Sequence, residues 1–288
     1  MTTTRTLDVP GARLRYEVRG SGPLLLVTGS PMGAADFAPL ADAMARDHTV
    51  VTHDPRGISG SVLDDPEQDS TPELRADDLA ALLDALGAET ADVFGSSGGA
   101  VTGLALVARH PGRVRTLVAH EPPCLELLPD AAEQRAAVDD LIATFHRDGV
   151  GAAFAKFMAH AGFEDGGEGA PGGPPSEPAR EPAGEPAREP AGAPSDQALA
   201  DGARFFVHEL RGTTSYLPDV AALRAGPARV LVGVGAGSGS GSLVTYRTSV
   251  ALAGLLGAEP VEFPGDHGGF IGHPEEFGEV LRKVLLEG

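Results

Sequence analysis

The sequence has no tryptophan, one cysteine and few aromatic residues, and each shortage excludes something. Aromatic residues make up 5% of the 288 positions, so aliphatic side chains must fill the core. The lone Cys124 cannot form an intramolecular disulfide, and the chain therefore does not require an oxidising compartment. No stretch approaches the about 20 apolar residues of a membrane span, and residues 1–8 lack the apolar segment of a signal peptide. We expect a cytoplasmic protein without a membrane partner.

Basic residues are also scarce. The chain carries 22 Lys and Arg against 41 Asp and Glu, which gives a formal net charge of -19 at pH 7. Such a charge is repelled by phosphate backbones and anionic lipids, so we expect no nucleic-acid partner. The length suits one large domain, or a domain with an insertion.

Short apolar runs alternate with amphipathic segments along most of the chain. A hairpin is predicted around Pro10-Gly11, where residues 5–9 and 12–18 alternate apolar with polar. Continuous apolar runs, typical of buried parallel strands, occur at 24–27, 50–51, 93–94, 117–119 and 230–232, and a final short segment at 261–263 reads Val-Glu-Phe. Helices are predicted near 35–46, 72–87, 99–110, 243–257 and 274–286. The alternation predicts a mostly parallel, wound α/β sheet with ligands at the C-terminal ends of its strands.

Residues 122–217 interrupt this alternation. Helical stretches at 130–147, 150–161 and 196–211 lie between two predicted sheet strands, which is the position of a cap over the site. The core domain would then comprise residues 1–121 and 218–288.

A low-complexity segment lies inside the predicted cap. Residues 177–184 (Glu-Pro-Ala-Arg-Glu-Pro-Ala-Gly) are repeated at 185–192, and a proline every four residues excludes a helix. Large apolar side chains are absent from 164 to 197, so nothing offsets the entropy of ordering the chain. We predict a disordered insertion at about 164–196; a proline-rich docking ligand is the alternative, without an aromatic or basic flank to support it.

The pentapeptide 95–99, Gly-Ser-Ser-Gly-Gly, follows a predicted strand and precedes a predicted helix. A serine with glycine two places to either side, in that setting, fits a nucleophile elbow. Centring the motif on Ser97 satisfies the spacing, whereas centring it on Ser96 would put Phe94 where a small residue is needed. Ser97 is therefore the candidate nucleophile.

Among nine histidines, His267 is the candidate base. It lies in a glycine-flanked loop between the last predicted strand and the terminal helix, and such a loop can bring an imidazole over the elbow. A serine hydroxyl needs a base of this kind before it becomes an effective nucleophile.

With these motifs, the chain resembles the α/β-hydrolase fold family over nearly its whole length, apart from 164–196. Residues 24–31 resemble the family's oxyanion loop, with Thr28 in place of the usual histidine. Residues 51–61 resemble its Asp-x-Arg-Gly-x-Gly-x-Ser turn, in which Asp54 and Arg56 would hold loops beside the site. The resemblance implies an α/β-hydrolase fold with a helical cap, and no metal or organic cofactor. It also implies that the backbone N–H groups of Ser30 and Gly98 form the oxyanion hole.

The sequence departs from the family pattern at the third triad member. The usual position, after the penultimate strand, holds residues 235–242 and contains no carboxylate. In some members, such as haloalkane dehalogenases, the acid instead follows the strand after the elbow, and Glu121 occupies that position. We predict Glu121 as the acid, with Asp266, or a neutral hydrogen bond from Ser238 or Ser240, as alternatives.

The predicted reaction is acyl transfer to water through Ser97, His267 and Glu121, on a small to medium, hydrophobic carboxylic ester. Serine at the elbow argues against epoxide hydrolase and dehalogenase chemistry, but lactonase, thioesterase, C–C bond hydrolase and perhydrolase activities remain open. His120, Phe154 and Phe206 are the predicted substrate contacts. The alternative is a hydrolase-like protein that binds a small molecule with weak or no turnover. The sequence does not indicate an oligomeric state.

Overall fold

The computed structural model describes residues 2–162, 194–240 and 243–287. The strands are β1 (Thr3–Val9), β2 (Ala12–Gly20), β3 (Leu24–Thr28), β4 (Thr49–His53), β5 (Val62–Leu63), β6 (Ala91–Ser96), β7 (Val114–His120), β8 (Arg229–Gly235) and β9 (Val261–Phe263). The helices are α1 (Ala38–Met44), α2 (Pro72–Ala85), α3 (Gly98–Arg109), α4 (Ala131–Asp148), α5 (Val150–Ala161), α6 (Asp196–Arg204), α7 (Leu210–Thr214), α8 (Val220–Ala225), α9 (Val244–Leu256), α10 (Gly269–Gly272) and α11 (Pro274–Leu286). Tighter turns form at Leu125–Leu127 and Ala236–Ser240, and a π-helical turn forms at Phe205–Glu209.

The strands form one sheet in the order β1-β2-β4-β3-β6-β7-β8-β9, with β5 paired to β2. β1 and β2 form the antiparallel hairpin predicted around Pro10-Gly11, and β2 also runs antiparallel to β4. From β4 to β9 every neighbouring pair is parallel. The predicted α/β sheet is confirmed; the two-residue strand β5 was missed because so short a pairing leaves no pattern in the sequence.

The apolar runs are continuous because both faces of the central strands are covered. Leu26, Val93 and Leu117 pack into one cluster with side chains from α2, α3 and α9. Leu25 and Phe94 are adjacent in sequence to Leu26 and Val93, and they pack into a second cluster with α1 and α11 on the other face of the sheet. Successive side chains of a strand point to opposite faces, so a strand between two helical layers needs apolar residues at every position.

Helices α4–α7 (131–161 and 196–214), here called the helical layer, follow β7 and precede β8. They share a cluster that includes Val138, Leu141, Phe205, Phe206 and Leu210. The helix predicted at 196–211 is instead α6, the π-helical turn and α7 in succession. The predicted disordered insertion falls mainly on residues 163–193, which lie outside the described residues, although α6 already begins at Asp196. No helix in the described ranges has the length and apolar character needed to cross a membrane.

Candidate active site

Ser97 occupies a sharp turn between β6 and α3. Its backbone lies at φ 54° and ψ −123°, a region that a residue with a side chain rarely adopts and that costs about 1–3 kcal/mol. Glycine is required two places to either side: a Cβ on Gly95 would lie 2.5 Å from the Gly99 carbonyl oxygen, and one on Gly99 would lie 2.2 Å from the Thr28 carbonyl oxygen. The backbone therefore has the geometry of the predicted elbow.

The structure brings His267 and Glu121 together from positions 146 residues apart. His267 follows β9, Glu121 follows β7, and both side chains are buried. The Nδ1 atom of His267 lies 2.5 Å from Oε2 of Glu121. A carboxylate at this distance fixes the imidazole tautomer with its proton on Nδ1, which leaves Nε2 available as a base.

Three further contacts hold Glu121 in place. Its backbone is in the left-handed region, at φ 49°, and its N–H donates to the Gly233 carbonyl oxygen at 3.0 Å. Its Oε1 accepts from the backbone N–H of Gly235 at 2.9 Å, and its Oε2 accepts from the hydroxyl of Thr245 at 3.0 Å. The last residue of β8, where the family's usual acid would follow, thus donates to the Glu121 carboxylate. Burial alone would raise the pKa of Glu121, but the hydrogen bond and charge of His267 outweigh it and lower that pKa to about 2.

The two predicted oxyanion donors lie next to each other. Gly98 is the first residue of α3, where backbone N–H groups have no partner within the helix. Ser30 follows β3, and a Cβ on Gly98 would lie only 2.9 Å from the Cβ of Ser30. The hydroxyl of Ser30 donates to Oε2 of Glu209 at 2.6 Å, so its hydrogen is already used and the backbone N–H is the donor that Ser30 can offer to an oxyanion.

Ser97 and His267 line the same cavity, which has a volume of about 50 Å³. Ser30, Gly98, Thr245 and residues of the helical layer complete its wall. Its apolar lining consists of Pro31, Pro123, Leu125, Val138, Leu141, Phe157, Ala161, Phe205, Leu210 and Val244. The site is a partly enclosed, mostly apolar space with polar groups at the elbow and at His160, Thr213 and Thr214 of the helical layer.

The three predicted substrate contacts do not line this cavity in the described structure. Phe206 is fully buried inside the helical layer, and Phe154 lines a separate groove between α5 and α6. Phe205 and Phe157 contribute the aromatic wall instead. Phe205, the neighbour of Phe206 in the π-helical turn, lines the cavity, and contact of the three residues with a substrate stays a prediction.

His120, the third of these residues, is the last residue of β7, and its ring stacks on that of His267 with the ring centroids 6.1 Å apart. Its ring is packed among Phe94, Phe263, Phe270 and Phe277, and its Nδ1 lies 3.2 Å from the Ser96 hydroxyl. Burial lowers the pKa of His120 to about 4, so the ring is neutral at physiological pH. Its packing among these rings is that of a structural residue.

The alternatives to Glu121 as the partner of the imidazole are Asp266, Ser238 and Ser240. Asp266 uses Oδ1 to accept the N–H of Gly268 at 2.9 Å. Ser238 is buried beside Glu121, and the side chain of Ser240 lies outside the described part of the chain. Cys124 is fully buried, and burial raises the pKa of its thiol to about 12, which excludes a thiolate nucleophile.

The two loops that resemble α/β-hydrolase motifs, at residues 24–31 and 51–61, make structural contacts. Arg56 makes a bidentate ion pair with Asp78 at 2.7 and 2.6 Å, and Asp54 accepts from the N–H groups of Ala34 and Gly60. Thr28, in place of the usual histidine, lies 2.9 Å from Nε2 of His53. Within the described ranges, no group of three His, Cys, Asp or Glu side chains is arranged to bind a metal.

A buried ion pair beside the oxyanion loop was not predicted. Nη1 of Arg75, from α2, lies 3.2 Å from Oε2 of Glu209 in the π-helical turn, and the same nitrogen donates to the Ser30 hydroxyl. Both charged side chains are almost completely buried. The sequence contains no signal for this pair, because its members are 134 residues apart and each resembles an ordinary exposed helical residue.

Comparison with known proteins gives consistent results. A family model described as alpha/beta hydrolase fold matches residues 22–162. The uncharacterized hydrolase YraK of Bacillus subtilis is 35% identical over 287 residues, covering 97% of this chain and 95% of that protein. A zearalenone hydrolase of Cladophialophora bantiana is 36% identical over 121 residues, covering 41% and 46% of the two chains. A thermophilic esterase from Thermogutta terrifontis has a similar fold, with a TM-score of 0.70, 19% identity, and coverage of 100% and 98%.

Proposed function

The chain belongs to the α/β-hydrolase fold family and is a hydrolase, and we propose that it is a serine hydrolase of small to medium, apolar carboxylic esters or related acyl compounds. One observation carries the proposal. Ser97, on a strained elbow, lines the same cavity as His267, and the Nδ1 atom of His267 lies 2.5 Å from the buried Glu121. A nucleophile, a base and an orienting carboxylate are the three parts that acyl transfer requires.

In the first half-reaction, Nε2 of His267 takes the proton of the Ser97 hydroxyl as the oxygen attacks the substrate carbonyl. The negative charge that develops on the carbonyl oxygen is held by the backbone N–H groups of Ser30 and Gly98. Glu121 stabilises the imidazolium that forms. His267 then gives its proton to the leaving oxygen, and the acyl group stays on Ser97.

In the second half-reaction, water replaces the leaving group. Nε2 of His267 takes a proton from this water, which attacks the acyl carbon, and the same two N–H groups hold the charge. Ser97 leaves with the proton returned by His267, and the carboxylic acid is released. Each proton that His267 accepts is given back within the same half-reaction, so no cofactor is needed.

The cavity supports an apolar substrate. Its wall is mainly aliphatic and aromatic, and its volume of about 50 Å³ has room for only a few water molecules. We propose that residues 122–217 act as a cap, because α4, α5 and α7 supply much of this wall. A substrate larger than a short acyl group would need the helical layer to move.

Labelling with a fluorophosphonate, followed by a substrate panel, tests the proposal. The probe should label the wild type and Ser96→Ala, and should not label Ser97→Ala. Ser96→Ala is the matched control because its hydroxyl is adjacent in sequence but buried against His120. Nitrophenyl esters of increasing chain length, lactones and thioesters then define the acyl class, since the fold does not select among them.

The opposite results are equally clear. If the wild type is labelled no faster than Ser97→Ala, Ser97 is not an activated nucleophile. A protein that binds esters without labelling or turnover would instead be a hydrolase-like binding protein.

A further inference from the structure

One end of the cavity is backed by the buried guanidinium of Arg75. Its Nη2 donates to the hydroxyl of Thr213 at 2.7 Å, and its Nη1 donates to the hydroxyl of Ser30. Both of these residues, Ser30 and Thr213, line the cavity that contains Ser97. The same cation therefore polarises two polar groups on the cavity wall.

The chemistry of the partners fixes where each hydroxyl hydrogen points. A guanidinium only donates, so both hydroxyl oxygens must accept from Arg75. The hydrogen of Ser30 is directed to the Glu209 carboxylate at 2.6 Å. The Thr213 hydroxyl does not donate to any acceptor among the described residues, and Thr213 is only 3% exposed, so bulk solvent hardly reaches it. This hydroxyl remains able to donate to a molecule in the cavity.

Thr214, the next residue of α7, provides an internal comparison. It also lines the cavity, but its hydroxyl donates to the carbonyl oxygen of Leu210, in its own helix, at 2.8 Å. Two adjacent threonines thus face one cavity, and only Thr213 keeps its hydrogen for a ligand.

The charge at this end of the cavity is balanced. Arg75 lies 3.2 Å from Oε2 of Glu209, and both side chains are buried. A substrate carboxylate would gain the attraction of Arg75 but would also meet the repulsion of Glu209. A neutral acceptor, such as a ketone or amide oxygen, avoids that repulsion and takes the hydrogen bond from Thr213.

We infer that Thr213 is a specificity-determining residue that donates a hydrogen bond to a second, neutral oxygen of the substrate, apart from the scissile carbonyl. The inference rests on the proposed ester hydrolysis and narrows its substrate class to esters with an added uncharged acceptor. Arg75 acts through Thr213, as a positioning residue.

Three acyl groups with main chains of equal length test this inference: the nitrophenyl esters of pentanoate, of levulinate and of hydrogen succinate. At the same position the chain carries a methylene group in pentanoate, a ketone in levulinate and a carboxylate in succinate. A second pair, butyl acetate and the acetate of hydroxybutanone, places the ketone on the alcohol side of the ester and is followed by titration of the released acid. Each kcat/KM is divided by the rate of the same ester in buffer without enzyme, except that the buffer rate of hydrogen succinate is subtracted, because its carboxylate attacks its own ester.

The wild type should prefer the ketone-bearing ester of at least one pair by about tenfold, the size of one buried hydrogen bond. Thr213→Val should bring that ratio close to one, whereas Thr213→Ser should retain it. Thr214→Val should keep the wild-type ratio. Melting temperatures show that each variant folds. The preference for the ketone-bearing ester is first measured with the wild type, so this part of the test does not depend on the folding of any variant.

Binding measurements separate this inference from the proposed function. Ser97→Ala should bind the levulinate ester more tightly than the pentanoate ester when the affinities are measured by calorimetry. The double variant Ser97→Ala/Thr213→Val should bind the two esters equally. Absence of wild-type turnover would overturn the proposed function, but these affinities would still decide the role of Thr213. No preference in either pair, preference for succinate, or equal effects of Thr213→Val and Thr214→Val would overturn the inference.

Discussion

Replacing Glu121 by glutamine keeps the shape of the side chain, and its hydrogen bonds determine the consequence. The carbonyl oxygen of the glutamine must face the N–H of Gly235, because an amide NH₂ group there would meet a buried donor. The NH₂ group then faces Nδ1 of His267, which must accept instead of donate. The imidazole proton moves to Nε2, and the ring can no longer take a proton from Ser97.

The expected loss is large. A triad with the wrong tautomer loses about 1,000- to 10,000-fold in kcat, or about 4–5.5 kcal/mol of transition-state stabilisation. Hydrolysis of a short nitrophenyl ester by Glu121→Gln, with circular dichroism to show that the protein is folded, measures this loss. Asp266→Asn is the matched control, since Asp266 adjoins His267 and its Oδ1 accepts from the N–H of Gly268; it should lose less than about tenfold.

Two outcomes would refute this reasoning. Glu121→Gln could retain activity within about tenfold of the wild type, in which case the carboxylate would not set the tautomer. Alternatively, Asp266→Asn could lose as much as Glu121→Gln, and the geometry at Nδ1 would then not explain the effect.

Two further predictions concern stability. Burial lowers the pKa of His120 to about 4 from 6.5, so below pH 6.5 the unfolded chain gains a proton that the folded protein does not, and stability falls toward pH 4. Between pH 7 and pH 4, the free energy of unfolding measured in urea should fall by about 3 kcal/mol less in His120→Leu than in the wild type, at about 1.4 kcal/mol per pKa unit. An equal fall in the two proteins would contradict this. Arg75→Leu or Glu209→Leu alone should cost about 3–5 kcal/mol, and the double variant less than the sum, whereas additive costs would show that the pair does not interact.

The fold was predictable because its signals are local. Strands buried on both faces need an apolar residue at every position, and helices between them need one apolar side. The helical layer was less predictable at Phe205–Glu209, since a π-helical turn rotates side chains relative to an α-helix without marking the sequence. In this turn, Phe205 lines the cavity and Phe206 is buried inside the helical layer.

Part of the site was predictable, either from a backbone motif or from the lack of a carboxylate where the family usually has one. Ser97 follows from the glycines that its turn requires, and Glu121 from the lack of a carboxylate after β8. Their catalytic roles remain predictions for the variants above to test. Arg75, Glu209 and Thr213 could not be found in this way, because their contacts depend on how distant helices pack.

The geometry of the sheet explains why the acid can come from β7 instead of β8. The two strands are parallel neighbours, so their C-terminal ends lie about 5 Å apart at one edge of the sheet. A side chain as long as glutamate spans that distance, and the left-handed backbone of Glu121 turns it toward the end of β8. There it accepts the N–H of Gly235, at the position from which an acid would otherwise project. From β7 the carboxylate of Glu121 thus reaches Nδ1 of His267 at 2.5 Å, the position that an orienting acid must occupy, and Glu121→Gln tests whether it has that role.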